Sequence, residues 1–145
     1  MTTCTSGTTN AYSFEVDEET THQVLASIVD RDGDAIPASS LVTLVATLKE
    51  GTYTTVGGNS VFVPGATVNS RDNQDILNTN NVTVDANGLL TWSVQTVDTE
   101  IVNEDTAIGA RENHLMTITA TTASDQVHLE VLLKVRNLSN VPQGG

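Results

Sequence analysis

The apolar residues of this chain recur at every second position from about Tyr12 onward, the spacing of a β-strand with one buried face. Residues 126–136 show the pattern best. Their apolar face consists of Val127, Leu129, Val131, Leu133 and Val135. This segment predicts a long, half-buried strand. Leu132 interrupts the polar face, and we expect it to contact a neighbouring subunit.

Other segments alternate in the same way and predict further strands. They are residues 21–29, residues 41–49 and residues 114–121. In residues 41–49 the alternation places Val42, Leu44, Ala46 and Leu48 on one buried face. Threonine fills many outward positions, where its β-branched side chain suits a pleated surface and its hydroxyl tolerates water.

Residues 81–94 predict the clearest hairpin of the chain. Asp85 opens its turn, and Asn87 and Gly88 supply residues that accept a positive φ. In the second strand Leu90, Trp92 and Val94 point to one face. Trp92, the sole tryptophan, is therefore predicted to lie in the core between two sheets.

Alternation weakens in two segments. In residues 51–77, the turn signals Gly57-Gly58-Asn59 and Pro64-Gly65 indicate an elaborated loop or an extra hairpin. Within it, residues 71–77 are expected to form one helical turn that tucks Ile76 and Leu77 under the sandwich. The second segment, residues 98–111, is acidic and is expected to be a surface loop.

Together these elements predict an all-β fold in a single domain. Strands with turns every ten or so residues favour an immunoglobulin-like β-sandwich of about seven strands, with an extra loop or hairpin insertion; a small barrel is the alternative. We place the domain at residues 12–136, between a flexible N-terminal arm, residues 1–11, and a C-terminal arm, residues 137–145.

Composition narrows the class of partner. The chain is 38% hydrophobic but only 3% aromatic, so the core must be mainly aliphatic. Its net charge of −12 disfavours binding to nucleic acid or to an anionic membrane, which requires clustered cations. The sequence shows no signal peptide and no apolar membrane span, so we expect a cytoplasmic origin. The single cysteine, Cys4, cannot form an internal disulfide and is expected to be an unconstrained thiol.

One acidic motif suggests a metal site. Asp30, Asp32 and Asp34 alternate as in the start of a calcium loop. An EF-hand loop, however, needs glycine and glutamate where this chain has Ala35 and Leu41. We therefore predict a turn with solvated carboxylates, with a weak, incidental calcium site as the alternative.

No other residues form a catalytic, cofactor or metal motif. His22, His114 and His128 lie in different predicted strands and are expected at strand surfaces. The acidic pairs Glu18-Glu19 and Glu104-Asp105 are expected in solvated loops. We predict that the protein is not an enzyme and binds no cofactor or metal.

The chain resembles a family of small Ig-like proteins encoded among the virion structural genes of tailed bacteriophages. The likeness lies in residues 71–92 and 131–142, and less clearly in residues 14–37. It implies a structural role in the virion, assembled in the host cytoplasm, as a decoration of the head or part of the neck or collar. Partners would be capsid, neck or tail proteins and copies of itself.

The insertion at residues 51–69 departs from the family pattern and is a candidate for a particle-specific contact. It also raises a rival function, a binding module for a host-surface glycan or protein. Tyr53 and Phe62 lie together in the insertion, and with Leu132 they are the candidate interaction residues. The alternative for the two rings is local packing.

Overall fold

A computed structural model describes residues 9–138 and shows a chain built almost entirely of strands. The strands are β1 (Thr9–Asp17), β2 (His22–Ser27), β3 (Leu41–Val56), β4 (Asn59–Thr67), β5 (Gln74–Asp75), β6 (Val82–Val84), β7 (Leu89–Val94), β8 (Arg111–Thr122) and β9 (Gln126–Arg136). Two short 3-10 turns, Ala38–Ser40 and Thr96–Thr99, complete the elements of this part of the chain. No helix among the described residues has the length and apolar character needed to cross a membrane.

The strands form two sheets that share one core. The larger sheet has six strands in the order β1-β9-β8-β3-β4, with β5 also paired to β3; the smaller sheet has the order β2-β7-β6. Buried aliphatic residues from both sheets belong to a single hydrophobic cluster, and Trp92 lies within it with 0% exposure. The predicted all-β sandwich is confirmed, since two separate sheets are present.

The predicted alternation of β9 is confirmed in detail. Every residue of its apolar face, from Val127 to Val135, is at most 2% exposed. On the neighbouring strand Met116, Ile118 and Ala120 are equally buried. At roughly 25 cal/mol per Å² of buried apolar surface, these aliphatic faces supply most of the driving force for closing the sandwich.

The start of β3 differs from the predicted alternation. The β3–β8 register shifts between Leu41 and Thr43, so the strand gains one residue there. As a result Leu41 is the buried residue, at 8% exposure, and Val42 is 62% exposed. Leu44, Ala46 and Leu48 follow the predicted pattern because the shift ends before them.

The hairpin predicted at residues 81–94 is confirmed. The Asp85 carboxylate accepts hydrogen bonds from the backbone N–H groups of Asn87 (2.8 Å) and Leu89 (3.0 Å). Only Gly88, and not Asn87, has a positive φ, at 76°. A Cβ at Gly88 would lie 2.8 Å from the carbonyl oxygen of Ile36, so glycine is required here for space as well as for φ.

The helical turn predicted for residues 71–77 is wrong. Gln74 and Asp75 pair with β3 as the short strand β5, and Asn73 has a φ of 48°. The backbone N–H of Ile76 donates to Leu44 O (2.9 Å), which places the Ile76 side chain in the core with 0% exposure. The segment therefore buries Ile76 as predicted, by extending the sheet.

Both ends of the described chain belong to the larger sheet. β1 runs parallel to β9, from the pair Thr9 and His128 to the pair Asp17 and Arg136. The boundary predicted at residue 11 therefore lies inside a strand. Past β9, Asn137 is buried and its Nδ2 donates to Thr106 O (2.9 Å). The rest of the two predicted arms, residues 1–8 with Cys4 and residues 139–145, lies outside the described residues.

Candidate interaction surface

The insertion forms a hairpin that extends past the neighbouring strand. β3 pairs with β8 only as far as Gly51, whereas residues 52–56 pair with β4 alone. The turn consists of Gly57 and Gly58, with φ of 59° and 86°, the two positive values of a type I′ turn. We call residues 51–67 the hairpin arm.

The hairpin arm exposes apolar side chains. Nine large hydrophobic residues are exposed in the described chain, and four of them lie on the arm. Those four are Tyr53 (42%), Val56 (59%), Val61 (41%) and Val63 (46%). Because they sit where the arm has passed the edge of β8, no strand of the smaller sheet covers them.

Directly opposed residues of an antiparallel pair share a face, so the two faces of the arm can be assigned. Thr54 opposes Val61 on one face, and Tyr53 opposes Phe62 on the other. The valines therefore form an aliphatic face, and the two rings form an aromatic face.

The aromatic face is held by close packing. The rings of Tyr53 and Phe62 meet edge to face, with centroids 5.2 Å apart at 65°. A Cβ on Gly51 would lie 2.5 Å from Phe62 Cζ and would overlap the carbonyl oxygen of Val63. Glycine at this position therefore lets the half-buried Phe62 ring lie directly on the β3 backbone.

The pKa of the Tyr53 phenol is affected by a charge on the larger sheet. Partial burial raises the pKa of its phenol, and the negative charge of Glu130 on β9 raises it further. The phenol is thus a neutral hydrogen-bonding group throughout the physiological pH range. By alternation along β3, Tyr53 lies on the side opposite to the buried Leu44, Ala46 and Leu48, which is the outer face of the larger sheet.

The base of the arm is fixed to the sandwich by polar contacts. Lys49 Nζ donates to Thr67 Oγ1 (2.5 Å), and the Ala66 N–H donates to Glu50 Oε1 (3.3 Å). A Cβ on Gly65 would lie 2.5 Å from the same Glu50 oxygen. These contacts give the arm a defined direction relative to the core.

The hairpin arm is free of charge. Residues 51–67 contain no Asp, Glu, Lys, Arg or His, although the chain carries six basic and eighteen acidic residues. The nearest charged side chains, Lys49, Glu50 and Arg71, flank the arm. An uncharged, partly apolar surface on a strongly acidic protein is suited to contact with another protein.

A buried ion pair lies near the base of the arm and was not predicted. Arg71 Nε and Nη2 donate to Asp98 Oδ1 (2.7 Å) and Oδ2 (3.2 Å). Arg71 Cζ lies 5.8 Å from the centroid of the Trp92 ring. Asn69 Nδ2 and the Gln95 N–H also donate to the Asp98 carboxylate, at 2.9 Å each. Asp98, expected in a surface loop, is 0% exposed because it holds these donors.

A second buried pair links a histidine and a glutamate. His114, expected at a strand surface, is 0% exposed, and its Nδ1 lies 2.8 Å from Asp98 O. Its Nε2 lies 2.5 Å from Glu112 Oε2. Burial raises the pKa of Glu112, but hydrogen bonds from His114 and from the N–H groups of Val102 and Asn103, together with the charge of His114, outweigh it and lower the pKa overall.

These buried groups hydrogen-bond to the neighbouring loop. Glu112 accepts from Val102 N (2.9 Å) and Asn103 N (2.7 Å), so it fixes the start of the loop that follows the second 3-10 turn. The side chains of Glu112 and His114 are at most 2% exposed. A carboxylate–imidazole pair that is closed to solvent in this way can hold the loop in one position through its hydrogen bonds.

The predicted acidic pairs differ from one another. Glu104 and Asp105 are exposed, as expected. Glu18 is only 8% exposed, because its Oε1 accepts from the Leu138 N–H (2.7 Å) where the chain leaves β9. His22 and His128 are exposed on their strands, as expected.

The acidic turn lies at the opposite end of the sandwich from the arm. The carboxylates of Asp30, Asp32 and Asp34 come within 4.8 Å of one another. Asp30 Oδ1 accepts hydrogen bonds from the N–H groups of Asp32 (2.9 Å) and Asp34 (3.0 Å). These bonds stabilise the turn. Beside it, Asp30, Leu41 and Asp125 are among the residues that line an open depression of about 510 Å³.

The structure brings Tyr53 and Phe62 together on one face and places Leu132 elsewhere. Leu132 is half-buried on β9, opposite Leu115 on β8 and Ser13 on β1. Sequence reasoning missed Val61 and Val63, although the charge-free run and the glycine pair of the turn were signals for an exposed hairpin.

No protein-family model matches this chain, and no curated protein sequence matches it at a significant level.

Proposed function

We propose that this protein is a non-enzymatic structural component of a bacteriophage virion that decorates the head or forms part of the neck or collar. The observation that carries the proposal is the hairpin arm, an uncharged apolar hairpin held out from a well-packed sandwich. Such an arm offers a contact surface without loosening the core. Its partners are other virion proteins and copies of this chain, with no role for nucleic acid or membrane.

The buried polar groups support a structural role. Arg71, Asp98, Glu112 and His114 are enclosed, and their hydrogen bonds run to loops and to one another. Ion pairs of this kind define one arrangement of loops around the core at some cost in desolvation. A protein that must present the same surface in every copy benefits from that uniqueness.

The strand order supports an Ig-like sandwich. β2, β7 and β6 correspond to strands B, E and D of an Ig domain, and β3, β8 and β9 correspond to C, F and G. β4 then takes the place of the strand added beside C in variable-type domains. With the sequence resemblance in residues 71–92 and 131–142, this order favours the Ig-like virion family over other sandwiches.

The direct test is the composition of the particle. Peptide mass spectrometry of gradient-purified virions of the encoding phage is expected to detect the chain in many copies, and immunogold labelling is expected to place it on the head or neck. Its absence from purified virions, with presence in the lysate, would overturn the proposal.

The alternative is an Ig-like binding module for a host-surface glycan or protein. The specific observation in its favour is Tyr53, which is 42% exposed and packs beside Phe62. Binding on a glycan array that is lost when both residues are changed to alanine would favour this alternative. The packing of Phe62 against Gly51 instead supports a structural task for that ring.

A further inference from the structure

The outer edge of β4 is an unpaired strand edge of the larger sheet among the described residues. β4 is the last strand in the order of the larger sheet, and no described strand pairs with its outer side. A two-residue turn closes on a pair that exchanges both backbone hydrogen bonds, so Val56 and Asn59 form such a pair. By alternation, the peptide groups of Ser60 and Phe62 point away from β3 and toward open space.

The β4 edge lacks most of the features that prevent an edge strand from pairing with a strand of another molecule. Edges are usually protected by charged side chains, by shortness, by bulges or by proline. β4 has nine residues and no charge, whereas β1, the other edge of the same sheet, carries Glu15 and Asp17. The protection on β4 lies near its far end, where Pro64 is followed by a bulge in the pairing with β3 between Pro64 and Thr67.

The charge distribution of the chain favours a second copy as the partner of the hairpin arm. Two copies of a protein with a net charge of −12 repel each other over most of their surfaces. They meet with least repulsion where neither carries charge, and residues 51–67 are such a surface. A second copy therefore matches the arm in charge and in exposed valines.

We propose that two copies of this chain pair β4 against β4, antiparallel about a twofold axis at Val61. Ser60 of each copy then lies opposite Phe62 of the other, and these two pairs exchange four backbone hydrogen bonds. Val61 faces Val61 of the second copy at the centre. The two larger sheets become one continuous sheet across the dimer.

Pro64 selects this register. Moving the axis to Phe62 would place Ser60 opposite Pro64, which has no N–H, and would leave the Ser60 carbonyl unpaired. With the axis at Val61, Pro64 of one copy lies opposite Gly58 of the other, which is in the turn and outside the paired strands. The proline thus ends the contact and fixes its centre.

The expected dimer is weak by itself. Pairing over about five residues buries well under the ~1,200 Å² of stable complexes, so association is expected to be reversible and to depend on concentration. The inference deepens the proposed function, because many copies held close on a particle would favour the same contact.

Sedimentation equilibrium of the purified protein up to about 1 mM provides the first test, since that range reaches weak complexes. The apparent mass is expected to rise from 15.3 kDa toward twice that value. Val61→Lys is expected to keep the monomer mass, because two lysines would meet at the axis. Thr54→Lys, with the same charge change on the same face but one strand further in, is expected to dimerise like the parent.

Disulfide trapping tests the register. In a Cys4→Ser background, Val61→Cys is expected to give a covalent dimer on mild oxidation, since opposed residues of a non-hydrogen-bonded pair lie about 4.5 Å apart at Cα. Val63→Cys is the matched control, because the two cysteines would lie about 13 Å apart along the strands.

The inference is overturned if the parent protein stays monomeric, if Val61→Lys still dimerises, or if the two cysteine variants cross-link equally. Circular dichroism of each variant checks that the sandwich is intact. A monomer that is nevertheless found in virions overturns the dimer alone, whereas a dimer that is absent from virions overturns only the proposed function.

Discussion

Arg71 and Asp98 are joined by two hydrogen bonds in the interior of the protein, although 27 residues separate them in the chain. Their side chains are 2% and 0% exposed. The pair connects the strand-like segment after the hairpin arm to the second 3-10 turn, and the guanidinium also lies over Trp92. Loss of one partner would leave a full charge in the core.

Asp98→Ala is therefore expected to be strongly destabilising. An unpaired buried charge typically costs about 3–5 kcal/mol, which is a large part of the stability of a domain of this size. Urea unfolding followed by Trp92 fluorescence measures the loss. The matched control is Asp125→Ala, which removes the half-exposed partner of the exposed Arg31 and is expected to cost less than about 1 kcal/mol. Equal losses for the two variants would contradict a structural role for the buried pair.

Gly51→Ala is expected to strain the base of the hairpin arm. The new Cβ would meet the Phe62 ring at 2.5 Å and overlap the backbone of Val63, so β3 and β4 must separate. Overpacking of this kind typically costs about 1–3 kcal/mol. The loss is measured by urea unfolding, and near-ultraviolet circular dichroism reports the Tyr53 environment. Thr52→Ala, at the next and exposed position, is expected to change neither signal.

Glu112→Gln is expected to weaken the acid dependence of stability. The pKa of Glu112 is lowered in the folded protein, so its ionised form stabilises the fold above the usual value of 4.5, and that contribution is lost as the pH falls through the lowered pKa. The parent should therefore lose stability below about pH 4.5 more steeply than the variant. Thermal unfolding from pH 3 to pH 7 measures this difference.

The same variant tests the loop contact directly. Val102 and Asn103 donate their N–H groups to Glu112, and hydrogen bonds to a charged acceptor contribute about 1.5–3 kcal/mol each at most. Hydrogen exchange at these two amides is expected to accelerate in Glu112→Gln. Glu104→Gln, an exposed change in the same loop, should leave both amides protected. Unchanged exchange in Glu112→Gln would show that the loop is held by other contacts.

Calcium is expected to bind negligibly at the acidic turn. Asp30 Oδ1 already accepts two backbone hydrogen bonds, so a cation must compete with the N–H groups of Asp32 and Asp34 that shape the turn. Calorimetric titration of calcium should give no heat above dilution. Heat that disappears in Asp30→Asn would instead establish a site formed by the three carboxylates.

Local pattern was sufficient to predict the fold class. Period-two alternation located β9, and the residue chemistry of Asp85 and Gly88 located the β6–β7 turn, because both signals depend on neighbours in the chain. The β3 bulge was invisible, since an extra residue at Leu41 and Val42 is decided by pairing with β8. The parallel pairing of β1 with β9 likewise depends on residues over a hundred positions apart.

The candidate surface was predicted only in part. Tyr53 and Phe62 stood out because they are rare rings in an aromatic-poor chain, and the structure does place them together. Val61 and Val63 were not singled out, because their exposure depends on where β8 stops pairing with β3. Asp98 and His114 were assigned to the surface because their partners lie on other elements, which a linear pattern does not reveal.

The parallel pairing of β1 with β9 is expected to make the sandwich resist a force that pulls these two strands apart lengthwise. A pull that draws the start of β1 and the end of β9 apart runs along both strands, so it shears the nine register pairs between Thr9 and Asp17 together. Hydrogen bonds that are loaded together share the force. In an antiparallel pair whose adjacent ends are pulled apart, the hydrogen bonds would instead break one after another. The ion pair between Asp17 and Arg136 lies at the end of this ladder and joins the same two strands.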